Sequence, residues 1–371
     1  MIRLENVTKY FPGMERPAVN KLNLEVEEGE VCVLVGPSGC GKTTTMRMIN
    51  RLTEPTEGKI YVDEKDTSKM NPIKLRLDIG YVIQQIGLFP HMTINDNVAT
   101  VPLEKKWARS KIKERTKELL KLVGLEPEEH GGRYPSGLSG GQQQRVGIAR
   151  ALAADPPIML MDEPFAAVDR ITRARLQNEF LRLQRELNKT IIFVTHDIDE
   201  AIKMGDKIAV MREGHLVQFD DPGTILSEPA NDFVANLVGK NRSIKRLHLI
   251  RVHEILGDIT NEVKMDASRE DIKAIIDEDI TATAMVVDED RCLRGMVGRS
   301  ALEDKEGERA EELMDEIPDS VTDDATLNDA LAVMLEIGEG FVPIVDAEDY
   351  FKGTLTLNDL LEQVRGDRGA A

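Results

Sequence analysis

The stretch from Gly36 to Thr44 carries the residue types that bind a polyphosphate. It reads GPSGCGKTT and follows the apolar run EVCVLV, so it joins a predicted strand to a predicted helix. Glycines let backbone N–H groups turn toward an anion, and the helix start adds a favourable dipole. The pattern G-x-x-x-x-G-K-[ST] is complete, and it predicts a nucleotide-binding phosphate loop.

Two side chains of this loop have predicted roles of their own. Lys42 reaches the β- and γ-phosphates of ATP, and the Thr43 hydroxyl is a ligand of Mg²⁺. ATP and Mg²⁺ are therefore the predicted ligands. The other loop residues predicted to contact the nucleotide are Gly36, Pro37, Ser38, Gly39, Cys40, Gly41 and Thr44.

A second acidic motif follows the apolar run PIMLM further along the chain. A buried strand that ends at Asp162 places a carboxylate beside the magnesium ion. Glu163 comes next, where a carboxylate can orient and polarise an attacking water molecule. The pair predicts hydrolysis of the nucleotide, with Asp162 as a metal ligand and Glu163 as the catalytic base.

The run LSGGQQQRV, residues 138–146, resembles the signature of ATP-binding cassette (ABC) proteins and matches L-S-G-G-Q without a departure. Its backbone is suited to an anion-binding helix start. The resemblance implies that this start contacts the γ-phosphate bound by a second copy of the chain, so that a homodimer encloses two nucleotides. The residues that carry this role are Ser139, Gly140, Gly141 and Gln142.

Further family motifs appear in the expected order. Gln84 resembles the glutamine that senses the metal and γ-phosphate near the membrane partner, and Gln85 is the alternative. Gln84 is assigned both a catalytic and a metal-binding role. His196, in VTHD, resembles the switch histidine that holds the γ-phosphate and the water.

Two more positions resemble the family less closely. Asp169, in AAVD, stands where the family more often has Ser-Ala-Leu-Asp, and the resemblance implies a nucleotide contact. Phe11 resembles the aromatic residue that stacks on adenine, with Tyr10 as the alternative. The resemblance covers residues 1–240.

The elements around these motifs predict an α/β fold. Strands alternate with helices, which is typical of a parallel sheet. A helix is predicted over residues 105–123 and another over about 170–188, where Leu176, Phe180, Leu183 and Leu187 share one face. The resemblance implies a phosphate-loop ATPase domain with a RecA-like core, a helical subdomain and an antiparallel β subdomain.

Charge divides the 371-residue chain into two parts. Residues 248–371 have 32 acidic and 12 basic side chains, a net charge of −20, whereas residues 1–247 carry +2. Such a break predicts a domain boundary and argues against nucleic acid as a partner. The N-terminus lacks the apolar block of a secretory signal, and no apolar run approaches the ~18 residues of a membrane span, so we expect a cytoplasmic location.

The acidic part contains an internal repeat at an offset of 58 residues, which places MDASREDIKA on DDATLNDALA. The second copy resembles a CBS domain, so the pair is predicted to form one tandem CBS (α+β) module. The predicted bounds are a linker at 241–250, a first copy at 251–308 and a second at 309–368.

The CBS resemblance implies an adenine-nucleotide site in the second copy. Thr356 is placed for phosphate and Asp359 for ribose hydroxyls, whereas the first copy has Gly298 and Ala301 at those positions. A module that serves only as a dimerisation platform is the alternative.

A cassette followed by paired CBS domains resembles the ATPase subunits of importers for quaternary-amine osmoprotectants such as glycine betaine, carnitine and choline. The implied partners are two integral-membrane permease subunits and an extracytoplasmic substrate-binding protein, with the chain peripheral on the cytoplasmic face of the membrane. Another small solute, such as an amino acid or polyamine, is the first alternative. A soluble nucleotide-sensing regulator without a membrane partner is the second.

Overall fold

The chain folds as two compact units, Met1–Gly239 and Lys240–Ala371. A computed structural model describes residues 1–371 except 84–86, 167, 169–172, 174–175, 179, 182–183, 185–187, 318 and 366–371. Among the described residues, no helix is long and apolar enough to cross a bilayer.

The N-terminal unit is built from strands and helices that alternate along the chain. Its described strands are β1 (Ile2–Lys9), β2 (Val19–Val26), β3 (Val31–Val35), β4 (Glu57–Val62), β5 (Lys65–Asp66), β6 (Ile79–Val82), β7 (Ile158–Asp162), β8 (Thr190–Thr195), β9 (Lys207–Arg212) and β10 (His215–Asp220). Its described helices are α1 (Lys42–Ile49), α2 (Pro72–Leu77), α3 (Ile94–Glu104), α4 (Arg109–Leu122), α5 (Pro127–His130), α6 (Gly140–Leu152), α7 (Ile198–Met204), α8 (Pro222–Ser227) and α9 (Asp232–Val238).

A six-stranded sheet forms the centre of this unit, in the order β10-β9-β3-β8-β7-β6. The pairs β3–β8, β3–β9, β7–β8 and β6–β7 are parallel, and only β9–β10 is antiparallel. Every residue of β3, β7 and β8 is buried, as expected for parallel strands covered on both faces. The predicted α/β parallel sheet is confirmed, and the carboxyl ends of β3, β7 and β8 meet at one edge.

A four-stranded antiparallel sheet, in the order β2-β1-β4-β5, covers one side of the unit. Its inward residues share one apolar core with α1 and the central sheet, including Leu4, Leu24 and Ile60 with Met46 and Val194. Helix α1, which follows the phosphate loop, is therefore held between the two sheets.

The helical subdomain that the resemblance implies lies between β6 and β7 and consists of α3 to α6. The helix predicted at 105–123 begins later, at Arg109. Helix α3 ends at Glu104 with Lys105 as its C-cap, Lys106 has a left-handed φ of 57°, and Ala108 is the N-cap of α4, so a turn separates the two helices. In the helix predicted at about 170–188, Leu176 and Phe180 are buried, while Leu183 and Leu187 lie outside the described residues.

The C-terminal unit contains two three-stranded sheets. Its described strands are β11 (Glu262–Lys264), β12 (Thr283–Val287), β13 (Leu293–Gly298), β14 (Val321–Thr322), β15 (Phe341–Val345) and β16 (Phe351–Thr356). Its described helices are α10 (Arg242–Arg246), α11 (Val252–Ile255), α12 (Arg269–Glu278), α13 (Arg299–Asp304), α14 (Ala310–Leu313), α15 (Leu327–Ile337) and α16 (Leu357–Arg365).

The 58-residue repeat of the sequence is also a repeat of strand register. Val263 pairs with Val286 in the first sheet, and Val321 pairs with Ile344 in the second, at the same offset. In both sheets the first two strands are parallel and the last two antiparallel. The predicted α+β duplication is therefore present in three dimensions.

Each copy completes its core with a short helix from the other copy. Val252 of α11 packs in the core of the second sheet, whereas Ala310 and Leu313 of α14 pack in the core of the first. The backbone bridges Arg251–Thr326 and Ser268–Arg309 fix this exchange. The copies form one paired module because neither core closes without its twin.

The stretch 241–250, for which the sequence predicts a linker, contains α10 and joins this packing. Leu247 is buried in the core of the second copy, and its carbonyl accepts a hydrogen bond from Asn328 N.

Candidate functional site

The phosphate loop lies between β3 and α1, as its sequence predicts. The Lys42 side chain is only 6% exposed, and its Nζ donates to Gly36 O at 2.6 Å and Pro37 O at 3.1 Å. Cys40 is buried, with its Sγ 3.7 Å from the same ammonium group. The loop thus places one positive charge among backbone groups at the start of a helix, which is the arrangement that receives a polyphosphate.

Gly36 is required by close packing as well as by its backbone angle. Its φ is +150°, and a Cβ built there would lie 2.1 Å from Met211 O, a backbone atom of β9. Gly39, with φ of +81°, has nothing within 4 Å of the same ideal position. Comparison of alanine variants at the two positions therefore separates the cost of steric overlap with Met211 O from the cost of backbone strain.

Gly36→Ala is expected to destabilise the N-terminal unit more than Gly39→Ala does. Forced overlap with a backbone carbonyl costs about 1–3 kcal/mol or more, whereas Gly39→Ala incurs only the left-handed penalty of about 1–2 kcal/mol. Urea unfolding followed by the fluorescence of Trp107, the single tryptophan of the chain, measures both. Equal losses in the two variants would show that the Met211 contact is unimportant.

Thr43 and Asp162 form the predicted metal pair. Thr43 Oγ1 donates to Asp162 Oδ1 at 3.1 Å, across 119 residues of sequence. Burial raises the pKa of Asp162, and the neighbouring Glu163 charge adds to the rise, although the Thr43 hydrogen bond opposes it. The Thr43 hydrogen bond therefore only partly offsets the burial of the Asp162 carboxylate. This carboxylate and the neighbouring Thr43 hydroxyl are the hard oxygen ligands that Mg²⁺ prefers.

The raised pKa of Asp162 predicts a pH-dependent magnesium affinity. A metal ligand must be ionised, and a raised pKa brings protonation closer to neutrality than for an ordinary aspartate, whose pKa is about 3.9. Affinity for Mg²⁺ with a non-hydrolysable ATP analogue should therefore fall as pH is lowered from 7, beyond the fall shown by the analogue alone in the same buffers. Calorimetry on the wild type and Asp162→Asn tests this, and equal pH dependence in the two would contradict it.

Glu163 and His196 come together beside this pair. His196 Nδ1 lies 3.2 Å from Glu163 Oε1, and the His196 side chain is 64% exposed while that of Glu163 is 19% exposed. Glu163 follows β7 and His196 follows β8, so neighbouring strand ends bring them together. A partly buried carboxylate and an exposed imidazole at this distance can hold and polarise one water molecule.

The signature run forms the start of α6. Ser139 caps the helix, since its Oγ accepts from Gln142 N at 3.3 Å and the Gln142 side chain accepts from Ser139 N at 2.9 Å. Ser139 and Gly140 are exposed, whereas the later turns of α6 are mostly buried. The exposed helix start is available for contact with another molecule.

Several predicted site residues are not placed by the structure. Gln84, its alternative Gln85 and Asp169 lie outside the described residues. Phe11 and Tyr10 are 37% and 44% exposed in the turn after β1, with Lys9 Nζ 5.2 Å from the Phe11 ring centroid. Both aromatic residues are accessible, and the choice between them is unchanged.

Comparison with known proteins places the chain in a family. The ABC transporter family profile matches residues 19–166. A carnitine transport ATP-binding protein, OpuCA, of Listeria monocytogenes is 48% identical over 98% of this chain and 92% of its own length. The chain belongs to the ATP-binding proteins of ABC transporters. The glycine betaine/carnitine/choline transport ATP-binding protein OpuCA of Bacillus subtilis is 45% identical over 98% of this chain and 96% of its own.

The comparisons also cover each unit separately. The structure titled as the dimeric, post-hydrolysis state of the cassette MJ0796 with ADP and Pi covers 60% of this chain and 99% of its own, with a TM-score of 0.56 and 37% identity. The CBS domain profile matches residues 310–366. This ABC protein is therefore an ATPase with a C-terminal CBS domain, and the predicted phosphate-loop fold is confirmed.

Sequence reasoning missed residues that form hydrogen bonds next to His196. The Glu200 carboxylate accepts from Thr195 Oγ1, next to His196, and from Gln177 Nε2 at 2.9 Å. Burial raises the pKa of Glu200, while these hydrogen bonds oppose the rise. The run THDIDEA contains Thr195 and Glu200, but Gln177 has no local signal in the sequence.

Arg47 and Tyr81 were also missed. Together with Thr43 and Asp162 they line a cavity of about 390 Å³. Burial and the charge of Asp162 raise the pKa of the Tyr81 hydroxyl, while Arg47 opposes the rise. Both residues thus contribute to the surroundings of the predicted metal pair.

In the CBS unit, Thr356 and Asp359 contact each other. Asp359 Oδ2 accepts from Thr356 N at 2.8 Å and from Thr356 Oγ1 at 2.7 Å, which fixes the start of α16. Thr326 and Asp329 make the same pairing at the start of α15. The motif therefore has a structural role as a helix cap, which is independent of any nucleotide.

Proposed function

We propose that this ABC ATPase energises a binding-protein-dependent importer of quaternary-amine osmoprotectants such as glycine betaine, carnitine and choline. The supporting observation is the length of the similarity: relatives named for carnitine or glycine betaine transport match 98% of the chain. That span includes the acidic CBS unit as well as the cassette, Met1–Gly239. Similarity over both units favours one transporter subgroup more strongly than the widespread cassette motifs do.

The proposed assembly is a homodimer of cassettes beneath two integral-membrane permease subunits, on the cytoplasmic face of the membrane. An extracytoplasmic binding protein delivers the solute. The exposed capped start at Ser139 and Gly140 supports the dimer, since it leaves anion-binding backbone groups available to a nucleotide on another copy. The MJ0796 structure, 37% identical, is titled as dimeric.

In the proposed reaction Glu163 accepts the proton of the attacking water, while His196 holds that water and the γ-phosphate. Lys42 balances charge on the β- and γ-phosphates. Thr43 and Asp162 would hold Mg²⁺, which when bound neutralises charge on the phosphate oxygens. We propose that the metal is contacted by Gln84 and the nucleotide by Asp169. The adenine ring stacks on Phe11, and the nucleotide of the partner is contacted by Ser139.

Purification of the tagged full chain in mild detergent tests the assembly, and uptake by the reconstituted complex tests the cargo. We expect two permease subunits to copurify and proteoliposomes with the binding protein to accumulate glycine betaine, carnitine or choline only with ATP. Uptake of an amino acid or polyamine instead would show that the proposed cargo is wrong. A chain that copurifies with no membrane subunit would support a nucleotide-sensing regulator.

We also propose that the second CBS copy binds an adenine nucleotide through Thr356 and Asp359. AMP is the probe, because it lacks the γ-phosphate that the cassette recognises. Asp359→Asn should abolish AMP binding measured by calorimetry on the full chain. Asp329→Asn, which removes the same kind of cap from α15, should leave it intact. Absence of AMP binding in the wild type would favour the dimerisation platform.

A further inference from the structure

Glu163 has a backbone conformation that is unusual for its residue type. Its φ is 48°, in the left-handed region, which is strained for a non-glycine residue. Its N–H donates to Val194 O at 3.0 Å, and its carbonyl accepts from Ala166 N at 3.2 Å. Strained positions persist only where surrounding contacts fix them, so each contact to this backbone matters for where the carboxylate points.

Gln144 supplies a further contact, and it comes from the signature helix. Its side chain is 2% exposed, and Nε2 donates to Glu163 O at 3.2 Å. Gln144 lies on α6, five residues after the capping Ser139 and on the buried part of the helix. The signature helix therefore touches the backbone of the predicted base in the same chain.

Packing does not explain a glutamine at this position. Gln144 Oε1 is buried and has no hydrogen-bond partner among the described residues. A buried acceptor without a partner is unfavourable, and an apolar side chain of similar volume would fill the same space without that cost. The amide group is explained by the hydrogen bond that it donates to Glu163 O.

Neighbouring residues of the same run hold other parts of the molecule. Gln143 Nε2 donates to Pro135 O and Leu138 O, which lie before α6, and Arg145 donates to Val123 O at the end of α4. Gln142 closes the cap at Ser139. Within this run, Gln144 contacts the backbone of the predicted base.

We propose that Gln144 is a positioning residue that couples the signature helix to the catalytic base of its own chain. The inference rests on the proposed homodimer, in which the exposed start of α6 contacts the nucleotide of the partner. A helix is stiff along its axis, so displacement of α6 by that contact also moves Gln144. The Glu163 backbone then shifts, and the carboxylate is aligned with the water only when the partner's nucleotide is engaged.

Gln144→Met in the full chain tests the positioning role, because methionine keeps the side-chain length and removes the donor. The expected result is a fall in kcat of about tenfold, the equivalent of one hydrogen bond of about 1.4 kcal/mol. KM for ATP should change less than twofold and Tm should not fall, since the unpartnered acceptor is removed as well. An unchanged kcat, or a fall in kcat matched by a fall in Tm, would overturn the proposal.

Gln218→Met is the matched control. Gln218 is also a buried glutamine that donates to a backbone carbonyl, Glu228 O at 3.0 Å, but it joins β10 to the segment that follows α8. This variant should lower Tm and leave kcat unchanged. Loss of kcat in both variants would mean that kcat follows general stability, which contradicts a specific role for Gln144.

Two-tag heterodimers distinguish this proposal from the dimer on which it rests. With Glu163→Gln in one chain and Gln144→Met in the other, the single remaining base lies beside the altered helix, and activity should fall about tenfold relative to Glu163→Gln paired with wild type. With both substitutions in one chain, activity should equal that reference. The reverse pattern overturns the coupling within one chain, whereas failure to form any ATP-dependent heterodimer overturns the dimer itself.

Discussion

Glu163→Gln is expected to lower kcat for ATP hydrolysis by about 10²- to 10⁴-fold, the usual contribution of a positioned general base. The amide keeps the size of the carboxylate and can still contact His196, whose Nδ1 lies 3.2 Å from Glu163 Oε1. It can no longer accept the proton of the attacking water. ATP affinity should be nearly unchanged because the phosphate loop and the Thr43–Asp162 pair are intact.

A consequence of slow hydrolysis is that ATP-bound cassettes remain associated. Size-exclusion chromatography with ATP and Mg²⁺ should therefore show a stable dimer of the Glu163→Gln variant, alongside a phosphate-release assay for kcat. Glu114→Gln, on the exposed face of α4, is the charge-matched control and should behave as wild type. Wild-type turnover in Glu163→Gln would exclude Glu163 as the base.

Lys42→Ala should weaken ATP binding by about a hundredfold, as expected from the loss of two charge-assisted hydrogen bonds at about 1.5 kcal/mol each. Lys42 is 6% exposed, and its ammonium group donates to the carbonyls of Gly36 and Pro37. Its removal takes away the charge that balances the polyphosphate. It also removes the contacts that hold the first residues of the loop.

Affinity for fluorescent ATP measured by titration tests this prediction. Lys74→Ala, on the exposed surface of α2, removes the same charge and should leave affinity unchanged. A Lys42→Ala variant with near-normal affinity but slow turnover would show that Lys42 acts on the reaction rather than on binding. A parallel loss in both lysine variants would mean that net charge alone controls affinity.

Short-range features of the fold were predictable because adjacent residues determine them. The phosphate loop depends on glycines and a following helix within ten positions, and the mostly apolar runs of β3, β7 and β8 identify buried parallel strands. The end of α3 was less predictable. The turn at Lys105 and Lys106 lies inside the charge-rich run KKWARSKIKER, so the sequence pattern placed the next helix four residues too early.

In the CBS unit, the sequence predicted the duplication but not how the two copies pack. An offset of 58 residues in the sequence predicts two equal copies, and the strand registers of Val263 and Val321 repeat at that offset. The pattern does not show which core receives the short helices. Val252 lies in the first copy by sequence, but it packs in the core of the second copy with Val321 and Leu327.

The sequence by itself determined the chemistry of this protein: a phosphate loop, an Asp-Glu pair at the end of a strand, a signature and an acidic duplication. The first three are short local motifs, and the duplication is a repeat of residue types at a fixed offset, so all four can be recognised from the residues alone. Only the tertiary structure decided how the motifs support one another. Gln144 reaches Glu163 and Glu200 joins Gln177 to Thr195 across 19 and 23 residues, because hydrogen bonds depend on distance in space and not on distance along the chain.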